Sequence, residues 1–170
     1  AMDVLGGRLM RAKERFRRAG LHNVETRELS SERDKFVKRH VGHFDLVLVD
    51  APCTGTGTWR RDPDKRWRSL GPGLGELVPL QQKILESAAR MVKPGGRLVY
   101  ATCSLLHDEN AGQIDNFLKQ HKDFEVLPVD SFVKNIGTGP YLQLTPAQHD
   151  TDGFFAACLV RKSGDSRHAV

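Results

Sequence analysis

At 170 residues, 39% of them hydrophobic, the chain holds enough apolar material for one domain with a sizeable core and leaves no room for a second. A formal charge of +5 and a pI near 9.3 favour an anionic partner wherever the charge gathers on one surface. The three cysteines, Cys53, Cys103 and Cys158, follow no disulfide or zinc-knuckle spacing and the histidines are scattered, so the sequence predicts free thiols, no metal, no membrane span and a reducing, cytoplasmic setting.

The first predicted element is an amphipathic helix from Leu5 to Ala19. Leu5, Leu9, Ala12, Phe16 and Ala19 fall on one side, and Arg8, Arg11, Arg15 and Arg18 run parallel to them. Gly20 stops it. Asn23 to Arg27 reads as a weak strand, Ser31 to Arg39 as a short polar helix, and Phe44 to Asp50 as a strong strand. Arg60 to Arg68 then carries five basic and two acidic side chains, with Trp59 and Trp67 among them. Gly71-Pro72-Gly73-Leu74-Gly75 is predicted to be a loop and not a phosphate cradle, since no buried strand precedes it and Pro72 lacks an amide donor. A long helix follows from Gly75 to Val92, and Lys93-Pro94-Gly95-Gly96 is expected to end it in a tight turn. The strand Arg97 to Thr102, a helix from Asp108 to Gln120, and strands at Phe124 to Val129 and Phe154 to Val160 complete the order. Ser131 to Asp152, polar and rich in turn residues, is read as irregular. Alternating strands and helices predict an α/β domain with a parallel sheet.

Two cysteines stand at strand ends, Cys53 in Asp50-Ala51-Pro52-Cys53 and Cys103 in Thr102-Cys103-Ser104. The carboxyl ends of neighbouring parallel strands open into one crevice. Because such strands lie only about 4.8 Å apart, both thiols can face one small substrate. Cys158, inside Phe155 to Val160, reads instead as a small core hydrophobe. Asp50 ends a hydrophobic strand, where a carboxylate needs partners or a role. The residues Arg60, Arg61, Lys65, Arg66 and Trp67 are expected to bind RNA, guanidinium groups meeting phosphates and the indole stacking on an unpaired base. Asp62 and Asp64 are expected to pair with the neighbouring arginines or to shape a turn.

Taken in order, Asp50-Ala51-Pro52-Cys53-Thr54-Gly55-Thr56-Gly57, Arg60-Arg61-Asp62-Pro63-Asp64 with Trp67, Lys93-Pro94-Gly95-Gly96, Tyr100-Ala101-Thr102-Cys103-Ser104 with Glu109-Asn110, and Asp152-Gly153-Phe154-Phe155 resemble the Sun/Fmu (RsmB-type) RNA cytosine-C5 methyltransferases, bacterial type. The resemblance spans essentially the whole chain. It implies a class I S-adenosylmethionine-dependent, Rossmann-like fold with a seven-stranded sheet whose last strand is antiparallel. Residues 1–170 would be a partial catalytic domain, truncated at its N-terminus, with the first strand and glycine loop upstream of Ala1. The inner edge of the Phe44 to Asp50 strand is then expected to lack its usual neighbour.

The resemblance also implies that Cys103 attacks C6 of the target cytosine and that Cys53 assists product release. S-adenosylmethionine is the implied cofactor, with Asp3 at the ribose hydroxyls and Asp50 at the cofactor and the base. RNA is the implied substrate, ribosomal RNA of the small subunit being favoured. Two rivals remain at this stage. One is a noncatalytic RNA-binding fragment of such an enzyme; the other is a DNA cytosine-C5 methyltransferase, in which Cys53 would be the nucleophile.

Overall fold

The computed structural model describes residues 1–67, 71–133 and 139–164. They divide into two compact units, Ala1–His40 and Val41–Val170.

The first unit is a small parallel pairing with a helical crossover. Strand β1 (Met2–Asp3) leads into helix α1 (Gly6–Arg18), and β2 (Arg27–Glu28) returns alongside β1, with Asp3 opposite Glu28. Helix α1 has the central part of the expected face: Leu9 is buried, Ala12 and Phe16 are half-buried, and Arg8, Arg11, Arg15 and Arg18 are exposed, whereas Leu5 and Ala19, just outside its ends, are exposed and do not join that face. It closes where Gly20 was expected to close it. Gly20 takes a left-handed conformation (φ 70°), while its amide bonds to the Arg17 carbonyl and that of Leu21 to Phe16.

The anticipated weak strand is displaced toward its C-terminus. Only Arg27 and Glu28 find a partner on β1, so residues 23–26 form no ladder. Likewise α2 spans Lys35–Arg39 and not the whole of Ser31 to Arg39. The reason is Asp34, whose carboxylate caps the helix at the Phe36 amide (2.8 Å) and also accepts from Ser30. Those bonds hold its pKa down at about 2.

In the second unit, β3 (Phe44–Asp50), helix α3 (Leu74–Met91) and β4 (Val92–Thr102) form a parallel crossover. Helix α4 (Ala111–Gln120) then leads to β5 (Phe124–Val126), and the chain ends on β7 (Phe154–Arg161). The sheet order is β3-β4-β7-β5, with β7 antiparallel to both of its neighbours, so the last strand has the implied direction. Alternation along each strand sends Val47, Val49, Leu98, Tyr100, Phe155, Ala157 and Leu159 to one buried face. Helix α3 covers it with Leu77, Leu85, Ala88 and Ala89, and α4 with Ile114 and Phe117. Each large apolar side chain so buried contributes roughly 1.5–3 kcal/mol.

The strands do not join into one seven-stranded sheet; those described form a sheet of five and a separate pair. Among the described residues β3 pairs on one side only, as its sequence context led us to expect. Leu46 and Leu48, on the face opposite Val47, are 56% and 66% exposed.

Three local readings need correction. Lys93-Pro94-Gly95-Gly96 is not a free turn after the helix but an irregularity within β4, where pairing passes from Phe44–Val92 directly to Leu46–Arg97. Gly95 is left-handed there (φ 77°), and a Cβ on Gly96 would crowd the Asp45 carbonyl. The β5 strand stops at Val126, short of Val129. Finally, the segment read as irregular contains β6 (Leu142–Leu144), which pairs with β7, and a one-turn helix α5 (Pro146–His149) capped by Thr145. Its Thr-Pro start is an N-cap and N1 signature that the sequence displays. Residues 134–138 of that segment, and Arg68 of the basic run, lie outside the described residues.

Candidate active site

Parallel pairing places Asp50, the last residue of β3, opposite Ala101, one residue before the end of β4. The Ala51 amide still reaches the Ala101 carbonyl (3.0 Å), but Pro52 has no amide to extend the ladder, and both chains turn away as loops. Their first side chains meet. The sulfurs of Cys53 and Cys103 lie 3.4 Å apart, both half-buried. The predicted convergence of the two thiols is therefore realised.

Glycine makes the surrounding loops close enough. Gly55 is left-handed (φ 70°) and turns the chain into the tight helical turn Thr56–Thr58. The Gly57 amide donates to the Cys103 carbonyl (2.9 Å), and the Gly153 amide donates to the Gly57 carbonyl (2.8 Å). A Cβ at Gly57 would collide with both the Gly153 and Cys103 carbonyls. The Pro-Cys loop, the Thr-Cys loop and the Gly153 turn thus meet backbone to backbone.

The two thiols differ electrostatically. Cys103 is brought down to about 6, first by the hydrogen bond from Cys53 and then by the Lys65 ammonium, against the opposing effects of burial and of the Asp50 charge. Cys53 is pushed far up, by that same hydrogen bond, by burial and by the charge on Cys103. The contact between the sulfurs thus drives the two thiols in opposite directions, Cys103 down and Cys53 up. Cys158 is buried at 7% exposure and its thiol is pushed up by burial, in keeping with a core role. Asp50 is exposed, so its carboxylate escapes the burial cost that its hydrophobic strand suggested.

The basic loop is organised differently from the sequence expectation. Arg60 bonds to the Asp150 carbonyl (2.6 Å) and pairs with its carboxylate (3.1 Å), while Arg61 pairs with Asp152. These two arginines thus find their acids some ninety residues along the chain, whereas Asp62 lies 4.0 Å from Lys65. Lys65 also donates to the Thr58 hydroxyl (3.3 Å), beside the thiols. The Arg66 guanidinium lies over both the Trp59 ring (5.7 Å) and the Trp67 ring (5.1 Å), and Trp67 is 79% exposed. An indole left in water with a cation against it is a ready stacking surface.

Asp3, in the first unit, ends β1 and accepts the Leu5 amide (2.8 Å) while pairing with Arg8 (3.6 Å). Glu28 ends the adjacent strand, and its carboxylate fills the space a Cβ on Gly6 would need. Two carboxylates at neighbouring strand ends beside a glycine at a helix start suit the hydroxyl-rich ribose of a nucleoside cofactor. The family resemblance implied Asp3 for that place, and Glu28 adjoins it. Glu109 and Asn110, to which the sequence assigned no role, are buried beneath the cysteine loops. Among the described residues no group of three or more potential metal ligands occurs, and no helix is long and apolar enough to cross a membrane.

Residues 1–160 match the family model described as 16S rRNA methyltransferase RsmB/F. A relative in Pectobacterium atrosepticum, ribosomal RNA small subunit methyltransferase B, is 39% identical over 161 residues, covering 95% of this chain and 36% of its own length. Among solved structures, PH0851 superposes with a TM-score of 0.84 at 38% identity, over 94% of this chain and 36% of that one. NSun6 from Pyrococcus horikoshii with SFG gives a TM-score of 0.75 at 27% identity, over 97% and 41% respectively. The chain thus spans little more than a third of the length of the curated relative it matches. With a class I Rossmann-like α/β fold, the ordered motifs around its paired cysteines and a family match over nearly its whole length, the chain belongs to the RsmB/F family of 16S rRNA methyltransferases.

Proposed function

We propose that this chain is the catalytic portion of an S-adenosylmethionine-dependent RNA cytosine-C5 methyltransferase acting on ribosomal RNA of the small subunit. The observation that carries this reading is the 3.4 Å contact between the two strand-end thiols, of which Cys103 is the one driven down. C5 of cytosine is a poor nucleophile, and addition of a thiolate at C6 is what enriches it. A thiol whose pKa lies near 6 is ionised at neutral pH and ready for that addition.

In the proposed sequence, the Cys103 sulfur forms a bond to C6, and C5 then takes the methyl group. S-adenosylmethionine supplies that methyl on an electrophilic sulfonium centre. Asp3 would hold its ribose, with Glu28 beside it at the neighbouring strand end. The relative solved with SFG, an S-adenosylmethionine analogue, supports this cofactor class. Asp50 stabilises the base as N3 takes up a proton during addition. A base next removes the C5 proton, the S–C6 bond breaks, and Cys103 leaves as thiolate.

Cys53 suits that last base role for a physical reason. What pushes its pKa up is led by the hydrogen bond to Cys103 and includes the Cys103 charge. Once Cys103 has become a thioether, the negative charge is gone and the bond is weakened, so Cys53 releases its own proton to solvent more readily and, as a thiolate, can take up the C5 proton. Trp67, Arg66 and Lys65 form the proposed RNA surface. Arg60 and Arg61 steady the same loop through their acidic partners while leaving guanidinium edges toward solvent. A cytoplasmic setting, where thiols stay reduced, fits this chemistry.

The test is trapping with RNA that carries 5-fluorocytosine at the target, where fluorine replaces the proton that must leave. A denaturation-resistant adduct mapping to Cys103 is expected. An adduct on Cys53 would bring back the DNA-type mechanism, and no adduct with a competent RNA would favour a noncatalytic binding fragment.

A further inference from the structure

Both cysteines lie beyond the β3–β4 ladder, in loops, yet their sulfurs must stay in contact for each thiol to act on the other as described. Strand pairing alone does not hold them. Beneath the two loops lies a buried polar network centred on the consecutive residues Glu109 and Asn110, which are 0% and 3% exposed. The Glu109 carboxylate accepts from the Thr54 amide (2.9 Å), from the Thr54 hydroxyl (2.5 Å) and from the Gln81 side-chain amide (2.9 Å). Gln81 also donates to the Pro52 carbonyl (2.9 Å), so the residues on both sides of Cys53 are held. Asn110 does the same for Cys103. Its carbonyl oxygen accepts from the Thr102 hydroxyl (2.5 Å), and its amide donates to the Ser104 carbonyl (2.8 Å).

We infer that Glu109 and Asn110 are positioning residues that together set the Cys53–Cys103 sulfur separation, Glu109 gripping the Pro-Cys loop and Asn110 the Thr-Cys loop. Consecutive Cα atoms are about 3.8 Å apart, so one peptide unit fixes the spacing of the two grips. That unit is itself anchored, because the Tyr100 hydroxyl donates to the Glu109 carbonyl (2.8 Å). A carboxylate is required at the first position because three donors converge on it, and a charged acceptor binds them more strongly than an amide. The hydrogen-bond donors to this carboxylate among the described residues are Thr54 and Gln81, neither of them a cation, so its burial is compensated by the loop it holds and by Gln81. Gln113 completes the chain by donating to both Gln81 and the Val78 carbonyl, which fixes the orientation of the Gln81 amide.

Its bearing on catalysis rests on the roles proposed for the two thiols, but its test needs no RNA, so the two readings can fail separately. The charged or titratable groups acting on Cys103 are Cys53, Asp50 and Lys65. In the full-length protein the rate of Cys103 alkylation by iodoacetamide is measured against pH. The unsubstituted protein should show a midpoint near about 6. Glu109→Gln, which places amide hydrogens against the Thr54 and Gln81 donors, should move it toward the ordinary thiol value of about 8.5 and slow alkylation at pH 7 more than about tenfold. Asn110→Asp, which loses the donor to Ser104, should move it the same way. Glu109→Asp, keeping the charge on a shorter arm, should restore part of the shift. In a Cys53→Ala background Glu109→Gln should add little, since it acts through Cys53. Should Glu109→Gln not fold, Thr54→Val removes only the hydroxyl arm and should still raise the midpoint. A midpoint unchanged in the folded Glu109→Gln variant, or in Thr54→Val where Glu109→Gln does not fold, overturns the inference and leaves the network a structural one.

Discussion

The Pro-Cys and Thr-Cys loops begin from the same residue type, leave adjacent parallel strands and touch through their sulfurs, yet their thiols are driven in opposite directions. The difference lies in what surrounds each one. The sulfur–sulfur contact and the field of Lys65 act downward on Cys103, whereas that contact, burial and the nearby charge act upward on Cys53. Two equal side chains at contact distance cannot both ionise, so small asymmetries decide which one does. The asymmetry that the proposed roles of attacker and release residue require is thereby present in the free chain.

Removing the attacker should break the comparison outright. Cys103→Ala is expected to abolish methyl transfer to RNA and every covalent protein–RNA species, as read by methyl incorporation and a denaturing gel, because no other group can enrich C5. A persistent adduct in this variant would exchange the two roles.

Cys53→Ala should have a large and opposite consequence. Attack and methyl transfer survive, but elimination slows and an RNA adduct accumulates on the same gel. Losing the leading cause of the Cys103 depression should also raise that thiol's pKa, so the pH at which alkylation reaches half its maximum must move upward from about 6. A midpoint that stays in place would show that Lys65 sustains the thiolate alone.

The RNA surface offers a smaller effect that should be blind to the difference between the thiols. Trp67→Ala removes an exposed stacking surface, and base stacking of this kind contributes about 1–3 kcal/mol. Weaker RNA affinity by roughly tenfold, with the alkylation profile of Cys103 unmoved, is the expected outcome of titration and alkylation together. A normal affinity would remove Trp67 from the surface.

Smallest of all is the third thiol. Cys158→Ala, in the middle of β7, should cost about 1 kcal/mol of stability in denaturant unfolding and leave adduct formation intact. Any loss of adduct at unchanged stability would contradict its core assignment.

Much of this site was legible because its parts are short-range. Asp50-Ala51-Pro52-Cys53 and Thr102-Cys103-Ser104 each announce a strand end by an apolar run broken at a polar or proline residue, and parallel pairing follows from the helix between them. The turn after Arg61 was legible in the same way, Asp62 opening the helical turn Pro63–Arg66 with its carbonyl on the Lys65 amide, whereas the acids that pair with Arg60 and Arg61 were not. A charge run suggests local pairs, but Asp150 and Asp152 reach those arginines only after β7 has folded back beside β4. Strand β6 was hidden because three residues carry too little periodicity to stand out before their partner on β7 is known.

By itself, then, the sequence determined where the two cysteines stand and that two strand ends would bring them near one another, since alternation, capping and turn chemistry are properties of neighbouring residues. Only the tertiary structure decided that the sulfurs touch, that their surroundings drive them in opposite directions, and that Glu109 and Asn110 lie beneath both loops. Those outcomes depend on burial and on fields summed over segments distant in the chain, and no local pattern encodes them.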